Sequence, residues 1–259
     1  MPDIQSAHDH RDISIQRVGV KGVRHPFLVD DIRLPEQVTT GELSLYVGLA
    51  SDRKGAHMSR FFELLGTSPL SVGPHKMHAA LDDMMTRLES SSAEIDAHFS
   101  VFLPKKAPVS GVESLMDYQV RIQAACRDNQ LKSQLTVTVP VTSLCPCSKA
   151  IAEYGAHNQR SHIVIDLRYE ADAQLSILTP IEIAEAQASC ELYGLLKRPD
   201  EKFVTEKAYD NPKFVEDLVR DVATALADLK GVSAFRISSE NFESIHNHSA
   251  YAQITHQWD

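Results

Sequence analysis

Cysteines are scarce in this chain, and their scarcity is the first limit on its chemistry. The 259 residues include four cysteines, Cys126, Cys145, Cys147 and Cys190. Four thiols are too few for the disulfide framework of a small secreted domain. We therefore expect a reducing, cytoplasmic environment in which the thiols are free for metal binding or catalysis.

Long apolar runs are absent as well. No segment approaches the roughly 18 consecutive apolar residues that a membrane-spanning helix requires. The opening residues, MPDIQSAHDHRD, contain no basic region followed by an apolar core, which is the pattern of a secretory signal peptide. We expect a protein that is neither exported nor bound to a membrane.

Positive charge is also in short supply. Lysine and arginine number 26 against 35 aspartates and glutamates, which gives a formal net charge of -9. Such a chain does not suit nucleic acid or an anionic membrane as its main partner, although the balance leaves room for a local basic pocket that holds a small anion. We expect a small-molecule partner.

Apolar residues make up 43% of the chain, which is enough for a full core. Alternating apolar residues predict strands, and apolar residues three and four apart predict helices. Both halves show the predicted order ββααββ, with a boundary near Asp128 in the charged turn CRDNQ. We expect an α+β fold of two tandem modules, residues 1–128 and 129–259, each with an antiparallel sheet and helices on one face.

Turn and capping signals set the predicted limits of the elements. The first strand is expected to break at residues 22–26, and the helix in RKGAHMSRFFELLG is expected to stop at Gly66. The motif TPIE at residues 179–182 predicts a capped helix that runs through AEAQASCELYGLLK. The dipeptide NP at residues 211–212 predicts the start of another helix, and RPDEK between them is predicted to be a polar loop.

The richest chemistry lies in residues 139–163, VPVTSLCPCSKAIAEYGAHNQRSHI, where thiols and imidazoles accompany the cations Lys149 and Arg160, with Arg168 just beyond. Thiolate and imidazole are ligands that zinc and neighbouring divalent metals prefer. The alternative is a loop with buried thiols and surface histidines. The pattern is not that of a zinc finger, because it lacks two Cys-x-x-Cys-like pairs. The four donors are Cys145, Cys147, His157 and His162.

A second polar cluster precedes the last predicted strand. Glu243, His246 and His248 alternate in the segment ESIHNH. Histidines that titrate near neutral pH are natural general acids and bases beside a carboxylate. A polar strand edge is the alternative interpretation.

Several multi-residue signatures together resemble one known family. They are KGAHMSRF, SLCPCSKAIAEYGAHNQRSHI, ELYGLLKRPDEKFVTEKAYDNPKFVEDLVRD and ENFESIHNHSAYA. In this order they resemble the prokaryotic type IB GTP cyclohydrolase I, an enzyme of the tunnelling fold (T-fold) built from two tandem ββααββ modules. The resemblance implies conversion of GTP to 7,8-dihydroneopterin triphosphate with release of formate, the entry step of pterin and folate synthesis.

The resemblance also implies a divalent metal ion, zinc, manganese or iron, held by Cys145, His157 and Glu201. Such a mixed donor set accepts several divalent metals. Spacing alone leaves Cys147 as an alternative to Cys145. It equally leaves Glu206 as an alternative to Glu201, or either glutamate as a solvated carboxylate.

Further roles follow from the same resemblance. Cys147 is then a proton-transfer candidate beside the metal, and His246 is the foremost acid–base residue, followed by Glu243 and His248. Glu216 is expected to accept the two adjacent donors of guanine in a bidentate contact, with Asp217 as the substitute. Independently of the resemblance, the charge of Lys149 and Arg160, and of the distant Lys54 and Arg60, makes these cations candidates for binding the triphosphate. The alternative is that they are solvated loop residues.

Two other functional classes share these features. The tunnelling fold also hosts nitrile reductases, which would use a cysteine nucleophile and NADPH without a catalytic metal, and a pterin- or purine-binding module could carry a similar cluster. Metal analysis with chelation separates these classes. Sheets with exposed edges also favour closure across subunits, so we expect a homo-oligomer, a tetramer, with sites at module or subunit interfaces.

Overall fold

The computed structural model describes Gln5 and residues 7–258. Residues 1–4 and 6 of the opening segment MPDIQSAHDHRD, for which we predict no signal peptide, lie outside the described residues. Strands and helices follow in the order β1 (Ile15–Val29), β2 (Gln37–Leu49), α1 (Met58–Leu65), β3 (Leu70–Val72), α2 (Met77–Leu88), β4 (Ala93–Lys106), β5 (Glu113–Arg127), β6 (Gln130–Leu144), α3 (Pro146–Ile151), β7 (Asn158–Tyr169), α4 (Leu178–Gln187), β8 (Cys190–Glu191), α5 (Arg198–Asp210), α6 (Val215–Ala227), β9 (Val232–Asn241) and β10 (Ala250–His256).

The chain divides into two compact units. The first comprises Met1–Ser100, Arg121–Leu135 and Arg168–Ser176, and the second comprises Val101–Val120, Thr136–Leu167 and Ile177–Asp259. The long strands β4 to β7 each contribute residues to both units. The division into modules 1–128 and 129–259 stays a prediction.

In the first unit the strands pair in the order β3-β1-β2-β4-β5-β6. The pairs β1–β2 and β2–β4 are antiparallel, whereas the short β3 runs parallel to β1. The predicted break in the first strand is wrong, because β1 stays paired with β2 through a bulge between Val20 and Val23, where Gly22 has a φ of 70°. Helix α1 ends before Gly66, as predicted.

In the second unit the order is β4-β5-β6-β7-β9-β10, and β8 pairs with β6. Helix α6 packs on β9, β10 and α4 with an apolar face that follows the helical period. Among the described residues, no helix is both long and apolar enough to cross a membrane. Buried aliphatic side chains of this unit include Val137, Val139, Ile163, Ile165, Leu167, Ile181, Val222 and Ile237.

The prediction of an α+β fold with a large antiparallel sheet and helices on one face is confirmed. Three local predictions are wrong. The helix from TPIE ends at Gln187, because Cys190 and Glu191 pair with β6 instead. The segment RPDEK begins helix α5, and the helix after NP starts at Val215 rather than directly at the proline. In addition to these three, the segment after Cys145 forms a short helix, α3, that the sequence pattern did not predict.

Candidate functional site

Cys145 follows the last residue of β6 and caps helix α3. Its backbone is extended, and Pro146 occupies the first helical turn, where a missing amide proton costs nothing. The Sγ atom accepts a hydrogen bond from the Ser148 amide at 3.5 Å. The thiol is half-buried, whereas that of Cys147, one residue into the helix, is exposed. The structure therefore gives the two cysteines different surroundings.

Ser148 ties Cys145 to His157. Its hydroxyl donates to the Cys145 carbonyl at 3.1 Å and accepts from the His157 amide at 3.1 Å. The Cys145 amide donates to the His157 carbonyl, also at 3.1 Å. The end of β6 and the start of β7 are held side by side, so these two predicted ligands lie at one place on the backbone.

His157 is linked through Gln159 to Glu243. The Nδ1 atom of His157 lies 2.9 Å from Gln159 Oε1, and Gln159 Nε2 donates to Glu243 Oε1 at 3.3 Å. The imidazole and the carboxylate themselves are 3.9 Å apart. The side chains of His157 and Glu243 are only 15% and 11% exposed. His157 lies immediately before β7, and Gln159 is the second residue of that strand.

Glu201 lies in the first turn of α5 and is exposed. No described residue forms a hydrogen bond or ion pair with its carboxylate, and its carbonyl accepts from the Thr205 hydroxyl. In the part of the chain that the structure describes, no group of three or more Cys, His, Asp or Glu residues is gathered closely enough to hold a metal ion. The structure thus holds the backbones of Cys145 and His157 side by side, and among the described residues Glu201 does not complete a metal-binding group with them.

Glu206, the alternative to Glu201, lines a cleft beside the same segment. The cleft has a volume of about 520 Å³. It is also lined by Ala156 and Asn158, which flank His157 in sequence, and by Tyr209. Thiolate, imidazole and carboxylate form a donor set that suits zinc, manganese or iron. This chemistry fits a divalent cation, and of the two glutamates Glu206 lines the cleft whereas Glu201 does not.

His246 and His248 lie side by side in the connection between β9 and β10. Their rings stack with centroids 5.1 Å apart and an interplanar angle of 20°, and both are exposed. His162, the fourth donor of the Cys-His segment, instead packs edge-on against Phe242 at 4.8 Å. Burial and the nearby Arg160 lower the pKa of His162, so this imidazole is disposed to be neutral.

Glu216 and Asp217 occupy the first turn of α6. Asp217 pairs with Arg220 at 3.2 Å. Glu216 is exposed, and no described residue forms a hydrogen bond or ion pair with it. Its carboxylate is therefore available for an external ligand, whereas that of Asp217 is already engaged.

The predicted phosphate-binding cations differ in their surroundings. The ammonium of Lys149 donates to the Tyr209 carbonyl and lies 4.1 Å from the centre of the Tyr209 ring, so it stabilises the end of α5. Arg160 is exposed on β7. Lys54 and Arg60 belong to the first unit, where Arg60 pairs with Glu89 at 3.3 Å.

Sequence reasoning missed two supporting groups in the second unit. Asp200, fully buried, accepts four hydrogen bonds at the start of α5. Glu191 on β8 accepts from Tyr193 and Lys207, both at 2.5 Å. Pro199 and two acidic residues in the first turn are a helix-start signal that could have revealed α5. No local sequence signal indicates that Glu191 pairs with Lys207, which is 16 residues away.

Known relatives cover almost the whole chain. Residues 1–252 match the family described as type I GTP cyclohydrolase folE2. The chain is 56% identical over 254 residues to GTP cyclohydrolase FolE2 of Burkholderia ambifaria, covering 98% of this chain and 94% of the relative. It is 53% identical over 258 residues to GTP cyclohydrolase FolE2 2 of Cupriavidus metallidurans, covering 99% and 95%.

Solved structures with a similar fold are far more distant in sequence. A uricase from Bacillus fastidious matches with a TM-score of 0.53 at 9% identity, covering 93% of this chain and 92% of that one. A uricase from Arthrobacter globiformis matches with a TM-score of 0.52 at 7% identity, covering 94% of both chains. These neighbours support the tunnelling fold alone. The match over nearly the full length, together with the identity to FolE2 relatives, shows that the chain belongs to the type I GTP cyclohydrolase folE2 family.

Proposed function

We propose that the protein hydrolyses GTP at the guanine imidazole ring, releasing formate and yielding 7,8-dihydroneopterin triphosphate, the first step of tetrahydrofolate synthesis. The observation that carries this proposal is 50–56% identity to GTP cyclohydrolases over almost the whole of both chains. We further propose that the protein acts as a type IB enzyme, which its sequence signatures resemble. A cytoplasmic location is consistent with four cysteines that form no disulfide in the structure.

Cys145, His157 and Glu201 would hold a divalent cation, zinc, manganese or iron. The backbone bonds around Ser148 support the first two, because they fix both residues against each other. When bound, such a cation supplies Lewis-acid activation of water near neutral pH. Glu201 would have to approach the other two donors on binding, and Glu206 is the residue to compare with it.

Glu216 would orient the substrate. Guanine presents its ring N–H and its exocyclic amine side by side, and one carboxylate accepts both. The exposed, unpaired state of Glu216 next to the engaged Asp217 supports this assignment. Arg160 and the remaining donors of Lys149 would contact the triphosphate, since ammonium and guanidinium groups are the usual partners of phosphate.

Cys147, His246 and His248 would move protons. All three side chains are exposed, and the two imidazoles stack within one connection. A positioned acid or base of this kind contributes roughly 10²- to 10⁴-fold in rate. Glu243 would assist from its half-buried position beside Gln159.

A homotetramer is the proposed assembly. In the described part of the sheet, β10 pairs with β9 on one side and carries the exposed Tyr251. Tyr154 and Ile151, next to the Cys-His pair, are 95% and 85% exposed. Apolar groups and an unpaired strand edge are typical of surfaces that a second subunit covers.

The proposal is tested by measuring GTP turnover with protein whose metal content is known. The competing hypothesis is a nitrile reductase. We expect a fluorescent pterin after oxidation of the product, loss of turnover on chelation, and recovery on addition of a divalent ion. A protein that binds a nitrile covalently at a cysteine and needs no metal would support the rival. GTP binding without formate release would indicate a non-catalytic binding module.

A further inference from the structure

Gln159 is a buried polar side chain that lies between two groups of the candidate site. It is 8% exposed, and its amide joins His157 to Glu243 through bonds of 2.9 and 3.3 Å. The 3.9 Å between the imidazole and the carboxylate is too long for a direct hydrogen bond. Gln159 therefore connects the imidazole and the carboxylate through hydrogen bonds.

The chemistry of the three side chains determines which atom donates and which accepts in each of the two hydrogen bonds. An ionised carboxylate only accepts, so the NH₂ of Gln159 faces Glu243 and its carbonyl oxygen faces His157. A carbonyl oxygen also only accepts, so Nδ1 of His157 must carry the proton. In a neutral imidazole the lone pair is then on Nε2. No described residue forms a hydrogen bond with that atom.

We propose that Gln159 is a positioning residue that fixes the tautomer and ring orientation of His157 and leaves Nε2 as the atom that binds the divalent cation. The inference rests on the proposed metal-binding role of His157. Groups that hold the second nitrogen of a metal-binding histidine raise its basicity and restrict its ring. A glutamine serves here because it can accept from the imidazole while it donates to Glu243.

The first test compares Gln159→Leu with Ser161→Ala. Ser161 is a matched control, since it lies two residues further on the same face of β7, is fully buried and bonds to Asn241 rather than to His157. Zinc affinity is measured by competition with a chelating dye. Loss of such a partner typically weakens metal binding roughly 10- to 100-fold, which we expect for Gln159→Leu. Ser161→Ala should lower the melting temperature and keep the zinc affinity.

The second test exchanges the groups in Gln159→Glu/Glu243→Gln. The new carboxylate accepts from His157 and from the new amide, so the direction of the bonds is preserved. We expect Gln159→Glu alone to bind zinc weakly, because two carboxylates then face each other, and the double variant to recover most of the affinity. The double variant also decides the matter if Gln159→Leu fails to fold.

The third readout is the tautomer of His157 in metal-free protein, observed by ¹⁵N NMR of the imidazole. A proton on Nδ1 that moves or exchanges with Nε2 in Gln159→Leu supports the proposal. A proton on Nε2 in the unaltered protein, or unchanged zinc affinity in folded Gln159→Leu, overturns it. If the unaltered protein binds no metal, the proposed function fails, while the NMR result still decides whether Gln159 selects the tautomer.

Discussion

The hydroxyl of Ser110 donates a 2.6 Å hydrogen bond to Oδ2 of Asp200, a fully buried carboxylate. The amides of Val109 and Ser110 donate to Oδ1 at 2.8 Å, and the Lys197 amide donates to Oδ2 at 2.9 Å. Burial alone would raise the pKa of Asp200, but these hydrogen bonds outweigh it and hold the pKa well below its usual range. The start of α5, and with it Glu201, is thereby attached to the β4–β5 connection.

Asp200→Asn should loosen the start of α5. The Asn side chain keeps the shape of the carboxylate but turns an NH₂ group toward donors, so at least one backbone amide loses its acceptor. We expect a lower melting temperature and faster hydrogen exchange in the first turn of α5. Asp228→Asn changes an exposed carboxylate at the end of α6 and is the control. Equal exchange in both variants would remove the positioning role of Asp200.

The lowered pKa of Glu191 should make the free energy of unfolding depend on pH in the acid range. Burial raises its pKa, but hydrogen bonds from Lys207 and Tyr193 dominate and bring the pKa from 4.5 to about 2. A depressed pKa means that the stabilisation is complete above the unfolded value and is lost as the pH falls from about 4.5 to about 2. This contribution of Glu191 to the free energy of unfolding is roughly 1–3 kcal/mol, because solvent screens the charge of the half-exposed Lys207.

Denaturant titrations of the unaltered protein and of Glu191→Gln across this range measure that contribution. We expect the variant to be less stable at neutral pH, with a flatter dependence between pH 4.5 and 2. Parallel profiles for the two proteins would mean that another carboxyl group controls the acid limb.

The ligand assignments predict a graded set of variants. Cys145→Ala and His157→Ala should lose most bound metal and nearly all turnover, because each removes one of three protein donors. Cys147→Ala should keep the metal and lose turnover, as expected for proton transfer. Metal content measured for Glu201→Gln and for Glu206→Gln identifies the third donor, because only the variant that lacks this donor should lose the metal. Full metal content in His157→Ala would exclude that residue as a ligand.

Glu216→Gln tests the substrate anchor. A hydrogen bond to a charged group is worth about 1.5–3 kcal/mol, so kcat/KM for GTP should fall at least roughly tenfold while the metal stays bound. A residue that only complements the helix dipole would contribute about 0.3–1 kcal/mol to stability and leave the kinetics unchanged. Asp217→Asn, which breaks the pair with Arg220, is the matched control and should keep normal GTP kinetics.

The thiols should differ in reactivity. Burial, followed by the charge of Glu191, raises the pKa of Cys190 to about 11, and the residue is 1% exposed. Cys147 is exposed. At pH 8, iodoacetamide should modify Cys147 in the folded protein and Cys190 only after denaturation, as mass spectrometry of the peptides would show. Rapid labelling of Cys190 in folded protein would contradict the packing around β8.

Local sequence patterns predicted most strands and the end of α1, because apolar alternation and the stop at Gly66 act within a few residues. They failed for α4, where the helical pattern continues past Gln187. Hydrogen bonds to distant residues end the helix, because Cys190 pairs with Thr142 and the Asn211 side chain donates to the Ala188 carbonyl at 2.8 Å. A window of neighbouring residues contains none of these partners.

The candidate site was predictable to a similar degree. The signatures pointed to Cys145 and His157, and the structure joins their backbones through Ser148. Gln159 lies in the same signature, two residues after His157. Its contact with Glu243, 84 residues away, depends on strand order, which the sequence pattern does not specify.

Release of the C8 carbon of GTP as formate is the most direct test of the proposed reaction. Metal-loaded protein is incubated with GTP carrying ¹³C at C8 and followed by NMR. We predict that the label appears in formate in equal amount to an unlabelled pterin triphosphate, and that chelation stops both. Label that stays in the nucleotide, although the protein is folded and metal is bound, would contradict the account.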